Sequence, residues 1–389
     1  MQPLYYEDYY IKDTEARIIA RKDGLVLLDK TPLYPGGGGQ PPDEGIARCN
    51  DRTINIKHIG EGWHRIDGEC NAERIFIEVN WEKRYHMMKA HTAEHAFFRF
   101  LQMRGARLVK IALDNISTIV FTGEIKTEDV LWAEEKTREI IKEGRDVNAR
   151  WIKRENAKNH PLLRINWERI KDDIIRIVEI EGHDISACKG THVKNLREIG
   201  DFAVIKFRGG SKRKEIKFVI GALAEKIHYG YSKEIRSIAW TSGLEIEKVS
   251  SYVKNLAEEN KRLHQALKDI SKHIPFQEVM CNELVLAIVS VYGGDRKILI
   301  KRMLEWTKLN KGIAIYVNLY DKSIAMAFSE NFQDYYQVAL DLLKEMGGKG
   351  GGKNNFISGG IENPEYFVEN LKKILCSQDI HLHGGENET

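Results

Sequence analysis

No stretch of this chain is apolar for long enough to cross a membrane, and its first residues, MQPLYYEDYYIKD, lack the basic-then-apolar layout of a secretory signal. Both absences lead us to expect a cytoplasmic protein with no membrane partner. Cysteine is scarce: there are five in 389 residues, an odd number and widely scattered (Cys49, Cys70, Cys188, Cys281, Cys376). That spacing predicts no disulfide framework, and a cysteine with a role is expected to act as a thiolate ligand. An excess of one charge is missing too, because 60 Lys and Arg face 57 Asp and Glu for a net charge of +3. Overall charge therefore does not imply a nucleic acid partner, and only local basic patches could. With 42% hydrophobic and 30% charged residues the composition is globular, and 389 residues exceed what one core usually serves. Two or three domains are expected.

What is there divides by pattern. Residues 1–80 read as short strands (EARIIA, GLVLLD, TINIKHI, RIFIEV) separated by turn residues, which predicts a small β-barrel. Within it, YPGGGGQPPDEG carries four consecutive glycines, Gly36, Gly37, Gly38 and Gly39. Such a run suits positive φ or a close approach of backbone or ligand, or else a floppy hairpin tip. Residues 81–228 mix an amphipathic helix through HTAEH, strands such as STIVFTG and IIRIVEI, and a second helix with Thr127 as its expected N-cap. This region predicts an α+β domain. Residues 229–274 read as long and helical, with Val253, Leu256, Leu263, Leu267 and Ile270 spaced by three, four and seven, so they form a helical spacer, a partner-binding helix pair or a plain core helix. Residues 275–389 alternate strands and helices as a small α/β domain. The expected fold class is therefore α+β and multidomain.

In a helix, side chains four apart lie about 5–6 Å from each other, so His91 and His95 of HTAEH can converge on one ion. Cys188 and His192 of CKGTH repeat that spacing, and together the pairs make the four-ligand nitrogen and sulfur set that zinc (Zn2+) prefers. A buried cysteine with three incidental histidines is the plain alternative. Two other metal motifs are missing. There is no H-E-x-x-H, because Glu94 precedes the second histidine rather than following the first, and there are no C-x₂-C pairs of a zinc finger. Gly347 to Lys353 fits G-x₄-G-K, yet Asn354 stands where a P-loop needs Ser or Thr. What remains is a glycine-rich segment beside Lys349 and Lys353, suited to polyanion phosphates or else a flexible tip. Lys212, Arg213 and Lys214 form a second basic group, read as a solvated hairpin or a nucleic-acid contact.

Taken in order, YPGGGGQPPDEG, KAHTAEH, DISACKGTHV with EIGDFAVIKF, and MGGKGGGKNNFISGG resemble the editing half of alanyl-tRNA synthetase. They are most similar to the free-standing alanyl-tRNA editing proteins of the long AlaX type. No region reads as an aminoacylation core. The resemblance implies hydrolysis of the ester joining a wrong amino acid, chiefly serine and then glycine, to tRNA for alanine. It implies zinc at His91, His95, Cys188 and His192, with Gln40 and the glycine-rich loop beside the pocket. It also implies tRNA contacts from the C-terminal domain and a spacer able to pair two chains. Thr191 is the first candidate to meet the serine hydroxyl and Thr92 the second, since both flank the ligand positions. Two departures stand out: LVKIALDNIS lacks the glutamine usual after the histidine helix, and Lys189 replaces one of a pair of glycines. A non-catalytic tRNA-binding protein with a structural zinc is the second reading.

Overall fold

The computed structural model describes residues 1–160, 163–168, 170–210, 212–353 and 355–377. Asn354 of the glycine-rich segment and the last residues of the chain lie outside them. The chain forms two compact units, Met1–Ser242 and Gly243–Thr389, dividing inside the stretch read as a spacer.

The first unit opens on a closed six-stranded barrel: β1 (Asp13–Lys22), β2 (Leu25–Leu28), β3 (Glu44–Cys49), β4 (Arg52–Gly60), β5 (Trp63–Ile66) and β6 (Arg74–Val79), in spatial order β1-β2-β5-β4-β3-β6. Inward positions alternate along the strands, and Ala16, Ile18, Val26, Leu28, Ala47, Ile56 and Ile77 fill the interior. Helix α1 (Trp81–Met103) leaves the barrel with Asn80 as cap, its side chain accepting the Lys83 N–H at 3.2 Å. After it come β7 (Arg107–Ala112), β8 (Ser117–Thr122), α2 (Thr127–Glu143), β9 (Val147–Lys153), β10 (Leu163–Arg164), β11 (Ile174–Ile180), β12 (Asp184–Ala187), β13 (Phe202–Gly209), β14 (Lys214–Ile220) and α3 (Gly221–Thr241). The strands make two four-stranded sheets, β13-β14-β8-β7 and β9-β11-β12-β10.

Helix α1 departs from its sequence reading. The spacing predicts an amphipathic helix, but every residue from Ala90 to Phe98 is buried. Met88, Phe97, Phe98 and Leu101 pack into a core shared with Ile119, Phe121, Phe202 and Phe218. The polar residues between them, His91, Thr92, Glu94 and His95, are carried into the interior, where each needs a partner. The N-cap of α2 is another correction. Thr127 is its first helical residue and Lys126 the cap, whose backbone N–H is taken by Asp129 Oδ2 at 2.9 Å.

The second unit begins with α4 (Ile246–His273), separated from α3 by a turn at 242–245, so the long helical region is two helices. It continues with β15 (Gln277–Cys281), β16 (Leu284–Val291), α5 (Arg296–Leu309), β17 (Gly312–Asn318), β18 (Ser323–Phe328), α6 (Tyr335–Glu345), β19 (Lys349–Lys353), β20 (Phe356–Gly360) and α7 (Pro364–Cys376). The six strands form one sheet, β15-β16-β17-β18-β20-β19, around a core of Leu286, Ile313, Ile315, Ile324, Met326, Phe328 and Phe367. The segment read as a phosphate loop or flexible tip is therefore an edge hairpin. Its glycines let two backbones meet flat, since a Cβ on Gly350 would stand 2.8 Å from both Gly359 Cα and Ser358 O.

Four of the five cysteines pair, against the expectation of no disulfides. Cys49 joins Cys70 with Cα atoms 5.8 Å apart, and Cys281 joins Cys376 at 4.6 Å. Barrel closure and the docking of α7 create these approaches, which spacing along the chain does not record. Only Cys188 is free.

Candidate metal centre

Helix α1 presents His91 and His95 one turn apart, as their spacing predicts. The other pair arrives differently: Cys188 to His192 is an irregular loop after β12, not a helix. It reaches α1 because Gly190 lies flat on the His91 ring, in a place where any Cβ would overlap the imidazole and come within 3.1 Å of Gln40 Oε1. One ligand-type atom from each of His91, His95, Cys188 and His192 lies within 4.8 Å of the others. Cys188 Sγ stands 3.4 Å from both His91 Nε2 and His192 Nε2. A tetrahedral zinc with bonds of 2.0–2.3 Å would need ligand atoms about 3.3–3.6 Å apart, a spacing that the two separations from Cys188 Sγ already meet.

The far side of each ring is what fits the group to a metal. His91 Nδ1 meets Gln40 Oε1 at 3.0 Å, His192 Nδ1 meets Thr92 Oγ1 at 3.1 Å, and His95 Nδ1 meets Ser186 Oγ at 2.8 Å with Asp184 Oδ2 at 3.5 Å. With every Nδ1 engaged, each Nε2 is left to face the cluster, the arrangement usual behind metal-bound histidines. The partners are themselves fixed. Gln40 Oε1 also accepts the Thr191 N–H at 3.0 Å, and its Nε2 donates to Thr191 Oγ1 at 2.7 Å. Thr92 donates to Met88 O at 2.8 Å and accepts the Val193 N–H at 3.2 Å, so its hydroxyl is fully used within the protein. Asp184 holds Arg164 through two bonds, 2.5 and 2.6 Å long.

The four glycines before Gln40 all have positive φ, from 61° to 131°. The loop is no floppy tip: Gly37 and Gln40 exchange backbone hydrogen bonds, Gly39 O accepts the Leu113 N–H at 2.9 Å, and a Cβ on Gly39 would run into Ile111. Its job in the fold is to deliver a buried glutamine from the barrel to α1.

Electrostatics concentrate here. Burial pushes the Cys188 thiol up, but His91, His192 and His95 outweigh it and hold the thiol well below its ordinary value. Burial, with His91 close by, keeps His192 well below the usual imidazole value. Both shifts favour the protonation states that bind a metal. Beside them Glu94, 2% exposed, puts Oε2 3.9 Å from His95 Nε2, while its Oε1 has no hydrogen-bond partner among the described residues. Burial raises this carboxyl above its ordinary range.

Of the residues singled out from sequence, the structure gathers His91, His95, Cys188, His192, Gln40, Thr191 and Thr92. Lys212, Arg213 and Lys214 lie at the turn and start of the β13–β14 hairpin, and Lys349 and Lys353 are exposed on β19 in the second unit. Sequence reasoning missed Glu94, Arg164, Arg176, Asp184 and Ser186. Some signal existed: Arg176 interrupts the apolar run IIRIVEI, and Asp184 and Ser186 share a strand face leading into Cys188.

Comparison with known proteins adds to this geometry. Residues 175–219, which run from β11 through nearly all of β14, match the family described as "Threonyl and Alanyl tRNA synthetase second additional domain". The chain is 26% identical over 404 residues to "Alanyl-tRNA editing protein AlaX-L" of Pyrococcus horikoshii, covering 96% of this chain and 98% of that protein. It is 32% identical over 245 residues to "Alanyl-tRNA editing protein AlaX-M" of Saccharolobus solfataricus, covering 56% of this chain and 98% of the relative. Against "Alanine--tRNA ligase" of Ignicoccus hospitalis it is 27% identical over 399 residues, which is 96% of this chain but 42% of the ligase. The chain thus spans less than half the length of the ligases it matches. Among solved structures, the C-Ala domain from Aquifex aeolicus alanyl-tRNA synthetase matches 26% of this chain and 98% of its own, at 19% identity and a TM-score of 0.23. Among the described residues, no helix is long and apolar enough to cross a membrane.

Proposed function

The chain belongs to the family of alanyl-tRNA editing proteins, and from that premise we propose that it hydrolyses in trans the ester linking a wrong amino acid to tRNA for alanine, serine first and glycine second. The observation that carries this reading is the convergence of two motifs, nearly a hundred residues apart, on one buried cluster of three imidazoles and a thiolate. That donor set suits zinc. When bound, the ion supplies a Lewis acid for the ester carbonyl or for water. Gln40 and Thr92 hold the rings of His91 and His192, and Ser186 with Asp184 holds His95. Glu94 Oε1, buried and without a hydrogen-bond partner among the described residues, is the proposed group to take a proton from an attacking water. Such a site rests on chemistry that synthesis cannot supply, because an apolar pocket rejects an added hydroxyl only weakly whereas a hydrogen-bonding site rejects its absence strongly. Thr191 remains the candidate for the serine hydroxyl. Thr92, with its hydroxyl spent on Met88, His192 and Val193, serves the metal ligand instead.

The test is release of amino acid from seryl-, glycyl- and alanyl-tRNA for alanine, with and without a chelator. We expect seryl-tRNA to be cleaved fastest, alanyl-tRNA to survive, and a chelator to stop the reaction. Equal cleavage of all three, or none, would discard the reading. The four-protein-ligand count favours one rival, a closed structural zinc in a tRNA-binding protein. Glu94→Gln separates the two: it should keep the metal and lose roughly 10²–10⁴-fold in rate if Glu94 moves a proton. In a tRNA-binding protein with a structural zinc, the wild type would already release no amino acid.

The C-terminal domain read from sequence as 275–389, with Lys349 and Lys353, and the Lys212–Lys214 hairpin are the proposed tRNA contacts. On α4, Ile246, Val249, Val253, Leu256, Asn260, Leu263, Leu267 and Ile270 recur at alternating steps of three and four, and Leu256, Leu263 and Ile270 are 47%, 58% and 59% exposed. An asparagine within such a seam favours two parallel strands, so the proposed partner is a second copy of α4. Leu256→Lys with Leu263→Lys should sediment as a monomer where the wild type is a dimer; a monomeric wild type would rule the pairing out.

A further inference from the structure

Beside the centre stands a buried guanidinium with part of its donor set unused. Arg176 lies mid-strand in β11 and is 2% exposed. Its Nη1 donates to the carbonyl oxygens of Cys188 at 2.6 Å and Gly190 at 3.1 Å, clamping the loop that carries the thiolate. Its Cζ is 5.3 Å from the Tyr6 ring and 5.1 Å from the Tyr9 ring. Nη2 is buried and has no hydrogen-bond partner among the described residues. The same arginine lines a cavity of about 170 Å³ with Ile175, Ala187, Cys188, Lys189 and Asp172, the last two paired at 2.7 Å. At roughly 30 Å³ per water this is space for five or six waters, enough for an aminoacyl or phosphate group and too little for a nucleoside.

An arginine cannot shed its proton, and a buried donor without an acceptor costs about 1–3 kcal/mol, more when charged. A fold that keeps such a group next to its reactive centre gains nothing from it until an oxygen with negative charge arrives. Building on the editing reading above, we propose that Arg176 is a substrate-binding residue whose Nη2 donates to an anionic oxygen of the aminoacyl-tRNA end seated in this cavity. Two oxygens share that chemistry. One is the carbonyl oxygen, which becomes an oxyanion when hydroxide adds to the ester carbon. The other is a phosphate oxygen of the terminal nucleotide. Because Nη1 grips Cys188 O and Gly190 O, one side chain would register the substrate against the thiolate loop.

Arg176→Lys and Arg176→Gln test this, with zinc content, thermal midpoint, and kcat and KM for seryl-tRNA measured on each. Binding of two non-hydrolysable probes is followed by calorimetry: the seryl amide of 3′-amino-3′-deoxyadenosine, and the same compound with a 5′-phosphate. If Arg176 holds the phosphate, the phosphorylated probe binds wild type about tenfold more tightly, and both variants erase that advantage and raise KM. If it holds the oxyanion, both probes bind the variants as they bind wild type, KM stays put, and kcat falls about 10²–10³-fold. Either pattern, at full zinc content in the lysine variant, supports the assignment. Unchanged kinetics and binding would overturn it. So would losses that simply track lost zinc in both variants, which would leave Arg176 only a clamp on the loop. A wild-type protein that releases no serine from seryl-tRNA would instead sink the editing reading, and this inference with it.

Discussion

A Cys188→Ala protein is expected to fold, to lose its metal, and to stop cleaving seryl-tRNA. Cys188 is partly exposed and supplies the single thiolate of the cluster. Its removal leaves three imidazoles without the soft, charged ligand, so zinc affinity should fall by more than the 10–100-fold seen on losing a group that merely supports a ligand. A Lewis acid contributes several kcal/mol, and each 1.36 kcal/mol is a factor of ten, so deacylation should drop at least about a hundredfold. Metal analysis and single-turnover deacylation on the same preparation decide the matter; a variant retaining full zinc would remove Cys188 from the ligand set. Acid should do reversibly what the substitution does permanently. The surrounding imidazoles hold the thiol well below its ordinary value despite burial, which favours the thiolate that binds a metal. Metal release should then begin only as falling pH protonates thiolate and imidazoles together.

Asp184→Asn should be the most destabilising single change at the site. The Asp184 side chain is fully buried, receives two charged hydrogen bonds from Arg164 and lies 3.5 Å from His95 Nδ1. Its neutral replacement leaves a largely buried guanidinium unpaired, at a cost of about 3–5 kcal/mol. The pH dependence has a definite sign. Burial favours the protonated acid, but the bonds from His95 and Arg164 prevail and hold the carboxyl below its ordinary range. A depressed carboxyl contributes stability that is complete above its unfolded value of about 3.9 and drains away as the pH falls toward its folded value. Denaturant midpoints of wild type and variant should therefore differ most at neutral pH and converge under acid. A constant gap between pH 7 and 3 would contradict the account. Zinc affinity should also fall about 10–100-fold, because His95 loses part of what fixes its ring.

Much of the site could be read from residue types and spacing, and the reason differs for the two halves. His91 and His95 are four apart in a true helix, so local geometry alone aligns them. Cys188 and His192 have the same spacing in a loop, where it means something else: Gly190 is pressed flat on His91, and the approach is tertiary. Gln40 entered by resemblance to a family, and its bonds to His91 and Thr191 show why a barrel loop needs four positive-φ glycines to reach α1. Glu94 and Arg176 were passed over because a charge on a helix or strand is normally a solvated one, and only packing reveals which charges the fold encloses. The cysteine pairs were hidden for a related reason, since barrel closure joins residues 21 apart and helix docking joins residues 95 apart.

By itself the sequence determined the local matters: which stretches alternate as strands, where α1 runs, and which side chains can offer nitrogen and sulfur to an ion. These follow from backbone periodicity and donor chemistry, which act over a few residues. Only the tertiary structure decided which faces are shut away from water. It enclosed α1 on every side from Ala90 to Phe98, fixed the outer nitrogen of each histidine, and left Glu94 and Arg176 with hydrogen-bonding capacity unspent among the described residues. Burial is a property of what packs against a residue, and the packing partners here come from the barrel, the loop after β12 and two sheets far apart along the chain.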